Sequence, residues 1–492
     1  MSLVDISWYW YGILFLVAVA IRDRWQKKHT IRHNFPIVGH IRYWLESIGP
    51  ELRQYIVANN REELPFNRQQ RAWIYASAKR ENNYTGFGTD QDLHAPGYIF
   101  IKPALLPYRP SQEELALLHR CPAAKTVGPN RKRPYRPTSI INISAMSYGS
   151  LSKEAVESLN QGAHMAGCYH NTGEGGFAPA HAHGADVVFH LGTGYFGARQ
   201  ANGDFSLEKL VSLTQQYPQI RMIEIKLSQG AKPGKGGVLP GKKVTAEIAA
   251  IRGIPEGEDA LSPAFHRTFD SIPSLVNWLE SLAEATGLPV GIKAAVGKLA
   301  YWEELAQYMA QTNLGPDFIT IDGGEGGTGA APRSFADHVS LPWVYGFSKV
   351  YQTFQEAGLT DRVVFIGSGK LGLPDSAIMA MAMGADLIQV AREAMLAIGC
   401  IQAQICHTNR CPVGIATNNT WLTSGLDPAL KSVRFANYLQ TFTKEVMEIT
   451  HACGYAHPSQ FTMEDIEVAM GNHGQTMTLK EVYGYQKKGA DL

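Results

Sequence analysis

The stretch VVFIGSGKLGLPDSAIMAMAMGADLIQV, Val363 to Val390, contains the unit from which the fold is predicted. An apolar run, Val363–Ile366, ends in glycine, and Ser376–Gly384 has helical length with an apolar face that recurs every three or four residues. A second apolar run, Leu387–Val390, closes the unit. This alternation predicts a strand, a helix and a second strand that lies parallel to the first.

Eight such runs follow one another, each ending in glycine or a polar cluster and each followed by a stretch of helical composition. They are Ser139–Ala145, Cys168–Asn171, Val187–Leu191, Met222–Leu227, Val290–Ala294, Phe318–Ile321, Val363–Ile366 and Leu387–Val390. A doubly wound open sheet also fits this alternation, but eight units favour closure into a TIM barrel. We therefore predict an α/β protein with a (β/α)8 barrel at 138–425, in which Ile272–Thr286 is a second good helix candidate.

The segments on either side of the predicted barrel lack this alternation. Residues 29–137 are polar, aromatic and proline-bearing without sustained periodicity, so we expect an irregular N-terminal arm. Residues 426–492 are expected to form a short helical C-terminal extension. The prediction therefore has four parts, because residues 1–28 form a further segment with its own pattern.

Residues 1–28 have the pattern of a single membrane anchor. Ile6–Ile21 carries no charge, and four basic residues follow it: Arg22, Arg24, Lys27 and Lys28. The run is short for a hydrocarbon core of about 30 Å, but the aromatic residues Trp8 to Tyr11 suit the membrane interface. Basic residues that follow the run disfavour a cleavable signal peptide. We expect a single-pass transmembrane helix with the catalytic domain in the cytoplasm, and a buried core helix is the alternative.

The overall composition is that of a globular protein. Of 492 residues, 45% are hydrophobic and 18% charged, which allows a large core. Lysine and arginine total 45 against 44 for aspartate and glutamate, so no basic field exists to hold a nucleic acid. Cys121, Cys168 and Cys453 are scattered singly, which fits a reducing compartment better than a disulfide framework.

The other three cysteines are close together in the sequence. Cys400, Cys406 and Cys411 form the pattern C-x5-C-x4-C in the run GCIQAQICHTNRCPVG. Three thiolates suit a cubane that lacks one corner iron, because each remaining iron then takes one protein sulfur. A zinc site completed by His407, or three reduced structural thiols, would also fit the spacing.

Glycine-rich loops follow the last three predicted strands. They are Asp322-Gly-Gly-Glu-Gly-Gly-Thr-Gly-Ala-Ala-Pro332, Gly367-Ser-Gly-Lys370 and Ala391-Arg392. Backbone amides without side chains can close on phosphate oxygens, and Arg392 adds a positive charge, although glycines also serve ordinary turns. We predict a flavin mononucleotide phosphate site here, with these candidate residues: Asp322, Gly323, Gly324, Gly367, Ser368, Gly369, Ala391 and Arg392.

Five segments together resemble the flavin domain of glutamate synthase. They are SAMSYGS at 144–150, NTGEGG at 171–176, QGAKPG at 229–234 with LPG at 239–241, the loop at 322–332, and the cysteine run at 399–416. They occur in the order of that family. The resemblance implies a barrel that holds FMN beside a 3Fe-4S cluster, and it assigns Cys400, Cys406 and Cys411 to the cluster. It also implies that ammonia condenses with 2-oxoglutarate and that the resulting imine is reduced.

The sequence departs from full-length glutamate synthases in two ways. Their amidotransferase domain begins with a nucleophilic cysteine, whereas the first cysteine here is Cys121, so we expect no glutaminase activity. Where the family carries paired histidines, the run SPAFHRT at 262–268 keeps one, His266. The chain resembles the stand-alone, membrane-anchored members of the family, for which the resemblance specifies the substrate less closely.

The resemblance also implies roles for four residues at the substrate. Lys232 would hold a substrate carboxylate, with Gln229 and Ser228 as hydrogen-bond donors. Glu174 would face the imine nitrogen, where a carboxylate can bind ammonium or exchange protons. A solvated loop lysine and a surface turn carboxylate are the ordinary alternatives for Lys232 and Glu174.

Further residues are predicted to contact the flavin. Lys226 and Lys293 end apolar strands, where a buried ammonium needs an anion. We assign Lys293 to the reduced ring, and Lys226 either to the flavin or to Glu174 or Glu224. The first strand would place three residues under the ring: Ser144, Ala145 and Met146, the last with plain core packing as its alternative.

Three functional hypotheses remain open on this basis. The first is a glutamate synthase that takes electrons from ferredoxin or a membrane carrier, because no dinucleotide fingerprint is evident. The second is an amino-acid or amine dehydrogenase that passes electrons through the cluster to a quinone. The third is a redox sensor or scaffold without turnover. The sequence does not set the number of subunits and is compatible with a homo-oligomer.

Overall fold

The structure, a computed structural model, describes residues 3–26, 28–471, 474–487 and 489–490, with side chains of the first helix from Trp8 onward. Met1, Ser2 and Lys27 of the predicted anchor, and the last residues of the predicted C-terminal extension, lie outside the described residues. The chain divides into two compact units, Met1–Gln70 and Arg71–Leu492.

The second unit contains a closed barrel of eight strands in which all neighbours are parallel. The described strands are β1 (Ile99–Ile101), β2 (Ile141–Ile143), β3 (His170–Asn171), β4 (Val187–Leu191), β5 (Ile220–Lys226), β6 (Val238–Leu239), β7 (Ala260–Leu261), β8 (Val290–Ala294), β9 (Phe318–Asp322), β10 (Val364–Ser368), β11 (Leu387–Val390), β12 (Ile466–Ala469) and β13 (Thr476–Thr478). The barrel order is β10-β11-β2-β3-β4-β5-β8-β9. Each of its strands overlaps one predicted run, so the barrel prediction is confirmed.

Helices separate most of the strands. They are α1 (Leu3–Trp25), α2 (Thr30–Asn34), α3 (Gly39–Leu52), α4 (Arg68–Lys79), α5 (Gln112–Ala116), α6 (Lys153–Ala166), α7 (Leu207–Gln216), α8 (Ala246–Arg252), α9 (Ile272–Thr286), α10 (Ala300–Thr312), α11 (Arg333–His338), α12 (Trp343–Glu356), α13 (Pro374–Met383), α14 (Arg392–Ala397), α15 (Thr420–Thr423), α16 (Pro428–Ala452) and α17 (Leu479–Tyr483). The helix predicted at Ile272–Thr286 is α9. The helix predicted from Ser376 begins two residues earlier, since Pro374 fits the first turn of a helix.

The N-terminal arm is more regular than expected. Residues 29–137 contain helices α2 to α5 in addition to strand β1. In α4, the Trp73 ring packs edge-on against Tyr438 and Phe442 of α16, with centroids 6.1 and 6.2 Å apart. Packing of this kind stabilises a short helix whose sequence alone gives a weak signal. The expectation of an irregular arm was wrong for these segments.

The C-terminal segment combines the expected helix with strands. Helix α16 packs along α6. Gly162 of α6 permits this close approach, because a Cβ atom at this position would lie 2.6 Å from the Ser432 carbonyl oxygen. Beyond it, β12 pairs with β13 and with β1, so the arm and the C-terminal segment share a three-stranded antiparallel sheet. These pairs are distant in sequence, and the predicted extension did not include them.

Most of the predicted anchor is helical, as helix α1, which ends at Trp25. Within the described ranges, no helix combines the length and the apolar character that crossing a membrane requires. The transmembrane part of the expectation therefore has no support from the structure.

Buried histidines give the fold a defined response to acid. Burial lowers the pKa of His181 and of His266 to about 4, and the pKa of His170 well below its usual value. These rings stay neutral in the folded protein, whereas unfolded histidines bind protons below about pH 6.5. The unfolded state therefore gains protons first as the pH falls, and stability is lost between about pH 6.5 and 4.

We expect the free energy of unfolding to fall by about 3 kcal/mol between pH 6.5 and 5 from His181 and His266 together. Urea unfolding at the two pH values measures this. His338 is exposed, so His338→Gln should leave the pH dependence unchanged. A stability that is flat over this interval would contradict the assignment of neutral buried rings.

Candidate functional site

A charged cluster lies where β3 and β5 end. Glu174 follows β3 in a tight turn, and its Oε2 accepts a hydrogen bond from the Lys226 ammonium at 2.9 Å. Lys226 also donates to Gln229 Oε1 at 2.6 Å. The turn needs glycine before the carboxylate, because Gly173 has a φ of +64° and lies against the backbone of the loop after β2. Of the two carboxylates given as alternatives to the flavin for Lys226, Glu174 is the one that pairs with it.

Two ammonium groups act on the Glu174 carboxylate. Burial opposes ionisation of Glu174, but Lys226 and Lys232 outweigh it and lower its pKa to about 2. Lys232 is 3% exposed, and burial lowers its pKa while Glu174 opposes that shift. Its ammonium makes one long hydrogen bond, 3.4 Å, to the Gly236 carbonyl. The cluster thus brings two cations to one carboxylate, and Lys232 retains donors for a further anion.

A two-stranded antiparallel sheet, formed by β6 and β7, lies beside this cluster. The Glu174 carboxylate approaches Gly192 and Gly237 so closely that a Cβ at either glycine would stand 3.0 or 3.1 Å from a carboxylate oxygen. His266 follows β7, and its Nε2 lies 2.8 Å from the Lys226 carbonyl oxygen. A carbonyl only accepts, so Nε2 carries the hydrogen. His266 thereby holds the end of β5, from which Lys226 extends.

A second carboxylate is buried inside the barrel. Glu224 is fully buried and accepts hydrogen bonds from Asn171, His190 and Thr320 at 2.7, 2.6 and 2.6 Å. Burial opposes ionisation, yet His190, the charge of Lys293 and the Thr320 hydrogen bond lower the pKa of Glu224 to about 2. An ionised carboxylate only accepts, so His190 donates through Nδ1. No role was predicted from the sequence for Asn171, His190 or Thr320.

Lys293 belongs to a third polar group, formed by the ends of β2, β8, β9 and β10. Its ammonium lies 3.2 Å from Asp322 Oδ1 and donates to Ser144 Oγ at 3.2 Å. Ser368 Oγ donates to Asp322 Oδ1 at 2.8 Å, and the Gly230 amide donates to Asp322 Oδ2 at 2.7 Å. Asp322 therefore connects the predicted flavin residues to the loop that carries Lys232.

The predicted glycines differ in what surrounds them. The Gly323 and Gly324 amides donate to the Ser368 and Leu341 carbonyls at 2.8 and 2.9 Å, so a phosphate would have to displace these bonds. A side chain at Gly323, Gly367 or Gly369 would collide with Trp343, which is fully buried. These glycines are thus explained in part by the packing of one tryptophan. Ala145 is half-buried and Met146 is 9% exposed at the end of β2.

Two cations meet at the ends of β10 and β11. Burial, and then the nearby Arg392 guanidinium, lower the pKa of Lys370. Arg392 also donates to the Glu325 carbonyl at 2.5 Å, and the Gly327 Cβ position lies 3.3 Å from the Arg392 side chain. The carboxylates of Glu393, Glu325 and Asp375 oppose this lowering of the Lys370 pKa. Both cations follow the seventh and eighth barrel strands, where the phosphate site was predicted. Lys370 was quoted in the predicted loop but given no role there.

Burial and neighbouring thiols raise the pKa values of two of the three clustered cysteines. Burial, followed by interactions that include the thiols of Cys406 and Cys411, raises the pKa of Cys400 to about 12. The pKa of Cys406 is likewise raised by burial and by Cys411. In the described part of the chain, no group of three or more histidine, cysteine or acidic side chains is placed to hold a metal ion. A three-iron cluster takes one thiolate per iron, so its ligands surround it and do not converge on one point.

The fold and the site together define the class of protein: a closed (β/α)8 barrel with a charged cluster at its strand ends. Residues 110–456 match the family described as the conserved region in glutamate synthase. This match covers well over half of the 492 residues. The chain belongs to the glutamate synthase family.

Individual relatives agree with this assignment. The chain is 35% identical to the glutamate synthase large subunit-like protein YerD of Bacillus subtilis, over 92% of both chains. It is 37% identical to the archaeal glutamate synthase [NADPH] of Methanocaldococcus jannaschii, covering 73% of this chain and 67% of that one. A solved flavocytochrome b2 variant with sulfite bound has a TM-score of 0.44 at 11% identity, over 93% of both chains, which is too weak to bear on function.

Proposed function

We propose that the protein is an FMN-dependent oxidoreductase that reductively aminates 2-oxoglutarate with ammonia. The observation that carries the proposal is the placement of Lys226 and Lys232 around Glu174. Two ammonium groups with one carboxylate leave a net positive charge, which suits a substrate that brings carboxylates of its own. The family membership supports the reaction type.

Each side chain of the cluster has a defined part in this proposal. Lys232 binds a substrate carboxylate with the donors that its long bond to Gly236 leaves available. Glu174 is ionised throughout the physiological pH range, since its pKa is about 2. Such a carboxylate is a weak base, so binding the ammonium and the amine nitrogen is better supported for Glu174 than proton abstraction. Lys226 and Gln229 hold Glu174 in place.

Ser228 is engaged in a different way from the predicted donor role. Its Oγ accepts a hydrogen bond from the Ala295 amide at 2.9 Å, and its own amide donates to the Lys293 carbonyl at 3.3 Å. The hydroxyl hydrogen remains to donate to a substrate oxygen. We therefore retain Ser228 as a substrate contact, positioned by the loop after β8.

The proposed cofactor is FMN, which supplies the hydride when it is bound. Lys370 and Arg392 fit its phosphate, because both are cations at one edge of the barrel. Ser144 and Lys293 fit a polar edge of the ring, and Met146 fits its face. Asp322 positions Lys293 through the 3.2 Å contact between carboxylate and ammonium.

Replacing Lys370 by alanine is expected to weaken FMN binding by about ten- to a hundredfold, since a charge-assisted contact contributes on the order of 1.5 to 3 kcal/mol. Flavin fluorescence titration of the flavin-free protein measures the change. Lys349 on α12 is exposed, and Lys349→Ala should bind FMN as the unchanged protein does. An unchanged affinity for FMN in Lys370→Ala would show that the phosphate does not bind at this edge of the barrel.

We also propose that Cys400, Cys406 and Cys411 bind a 3Fe-4S cluster that carries electrons to the flavin. The proximity of the thiols supports it, because Cys406 and Cys411 raise the cost of ionising Cys400, and Cys411 raises that of Cys406, until a cation is bound. The proposed donor is ferredoxin or a membrane electron carrier. Zinc bound by the same cysteines and His407 is the alternative, and iron and zinc analysis distinguishes the two.

Anaerobic titration of the flavin tests the proposed reaction. The reduced protein should be reoxidised by 2-oxoglutarate with ammonium and by neither compound alone. NADPH belongs among the donors tried, because the relative from Methanocaldococcus jannaschii is named for it. Flavin reduction by an amine or amino acid, without reoxidation by the oxo acid, would replace the synthase with a dehydrogenase. No response in either direction, with flavin and cluster present, would favour a redox sensor or scaffold.

Helix α1 bears on where the protein resides in the cell. The described part of α1 exposes aromatic and aliphatic side chains, including Trp8 at 76%, Tyr9 at 75% and Phe15 at 68%. Exposed apolar surface of this extent suits a lipid environment, and the basic residues Arg22 and Arg24 suit the anionic lipids of the cytoplasmic leaflet. We propose attachment of the catalytic domain to the membrane from the cytoplasm.

Deletion of residues 1–28 is expected to move the protein from the membrane fraction to the supernatant with its flavin bound, because the barrel belongs to the unit that begins at Arg71. Fractionation by centrifugation, with flavin absorbance, measures this. A shortened protein that still sediments with membranes would place the attachment elsewhere, and a full-length protein found in the supernatant would refute it.

A further inference from the structure

Lys243 lies beside the cysteine loop and is 3% exposed. Its ammonium donates to three backbone carbonyl oxygens, those of Ser150, Cys406 and Ala416, at 3.3, 3.1 and 2.9 Å. These carbonyls come from the loop after β2 and from both sides of Cys411. Lys243 therefore connects three segments of the chain beside the cysteine loop.

The charges around Lys243 are unusual for a buried lysine. Its ammonium is buried, and the three oxygens that it contacts belong to neutral carbonyl groups. Among the described residues, no carboxylate lies within ion-pair distance of its ammonium, and neighbouring Lys242 adds a like charge. A buried ammonium without an anion is costly, so this site favours an anion at the thiols.

A second cation, Arg71, acts on the same loop at Cys400. Arg71 of α4 is 5% exposed, and its charge favours the thiolate of Cys400. In the same helix, Tyr75 donates to the Cys400 carbonyl at 2.7 Å. The cysteine loop therefore has one buried cation, Lys243, at Cys406 and a second, Arg71, whose charge acts on Cys400.

We propose that Lys243 is the counter-cation of the iron–sulfur cluster and raises its reduction potential. This inference rests on the cluster proposed above. Three thiolates give the site negative charge, and one-electron reduction of the cluster adds one more. A fixed ammonium that bonds the Cys406 carbonyl stabilises the reduced form more than the oxidised form. The electron comes from ferredoxin or the membrane carrier in the proposed reaction and from dithionite in the test.

The test is a potentiometric titration of the full-length protein with dithionite, followed by electron paramagnetic resonance. Lys243→Gln should lower the equilibrium constant for cluster reduction at least tenfold, a shift of about 59 mV to more negative potential for one electron. Lys243→Arg keeps the charge and should stay close to the unchanged protein. Lys242→Gln removes the same charge from an exposed neighbour and is the matched control.

Iron content and flavin absorbance accompany each titration. Equal potentials in Lys243→Gln and the unchanged protein, both with iron, would overturn the role of Lys243 alone. Loss of iron from Lys243→Gln but not from Lys243→Arg, with flavin bound in both, would support it. Loss from both variants would show that the lysine acts through its shape and would overturn it. Absence of iron from the unchanged protein would overturn the cluster itself, and the inference with it.

Discussion

Replacing Lys232 by alanine is expected to lower catalytic efficiency with 2-oxoglutarate and ammonium by roughly thirty- to a hundredfold while FMN stays bound. A charge-assisted contact to a carboxylate contributes on the order of 2 to 3 kcal/mol, and its loss appears directly in kcat/KM. Lys232 is buried beside Glu174, so it is already held in place before substrate binds. Steady-state kinetics with a chemical electron donor measure the effect.

Lys235 provides the matched control for this variant. It lies three residues further along the same loop, it is exposed, and its ammonium stands 5.8 Å from the Phe335 ring centroid. Lys235→Ala should retain most of the activity. Equal losses in both variants would indicate a general disturbance of the loop, and full activity in Lys232→Ala would remove the substrate role of this lysine.

The barrel could be predicted because its signal is local. Each strand is a short apolar run that ends in glycine or a polar residue, and the eight runs correspond to the eight strands. The pairing of β1 with β12 could not be predicted in the same way, because its residues Ile99 and Val468 are far apart in sequence. Short strands of this kind acquire their structure from their partners.

The sequence identified many residues of the site, but it did not identify the hydrogen bonds between them. Motifs identified Glu174, Lys226 and Gln229, but their hydrogen bonds follow from side chains that meet across the barrel. Glu224 shows the limit most clearly. Its partners Asn171, His190 and Thr320 come from three different strands, and nothing in the sequence links them. Periodicity assigns a residue to a face and leaves its partner undetermined.

Glycines were the residues whose role was least predictable. The sequence favoured phosphate binding for Gly323 and Gly367, and the structure shows that the Trp343 side chain also demands glycine there. A glycine in a loop has several physical causes, and the sequence does not distinguish an amide that binds a ligand from space for a large ring. The charges of Lys370 and Arg392 are the features on which the proposed phosphate site depends, and the Lys370→Ala variant tests them.

Replacing Cys406 by serine is expected to remove the iron from the protein while most of the FMN remains. A serine hydroxyl is a far poorer ligand for iron than a thiolate, so one iron loses its protein ligand and the cluster is lost. Lys370 follows β10 and Arg392 begins α14, so neither proposed phosphate residue belongs to the cysteine loop, and we expect the flavin to stay bound. Iron analysis and flavin absorbance of the purified variant measure the two results.

Two further variants make this outcome specific. Cys453 is buried outside the loop, and Cys453→Ser should keep the iron. His407→Ala separates the proposed cluster from the zinc alternative, because a four-coordinate zinc site needs a fourth ligand and a three-iron cluster does not. The cluster therefore predicts iron in His407→Ala and none in Cys406→Ser. Stoichiometric zinc in the unchanged protein, lost from both variants, would mean that the cysteine loop is a structural metal site and that electrons reach the flavin by another route.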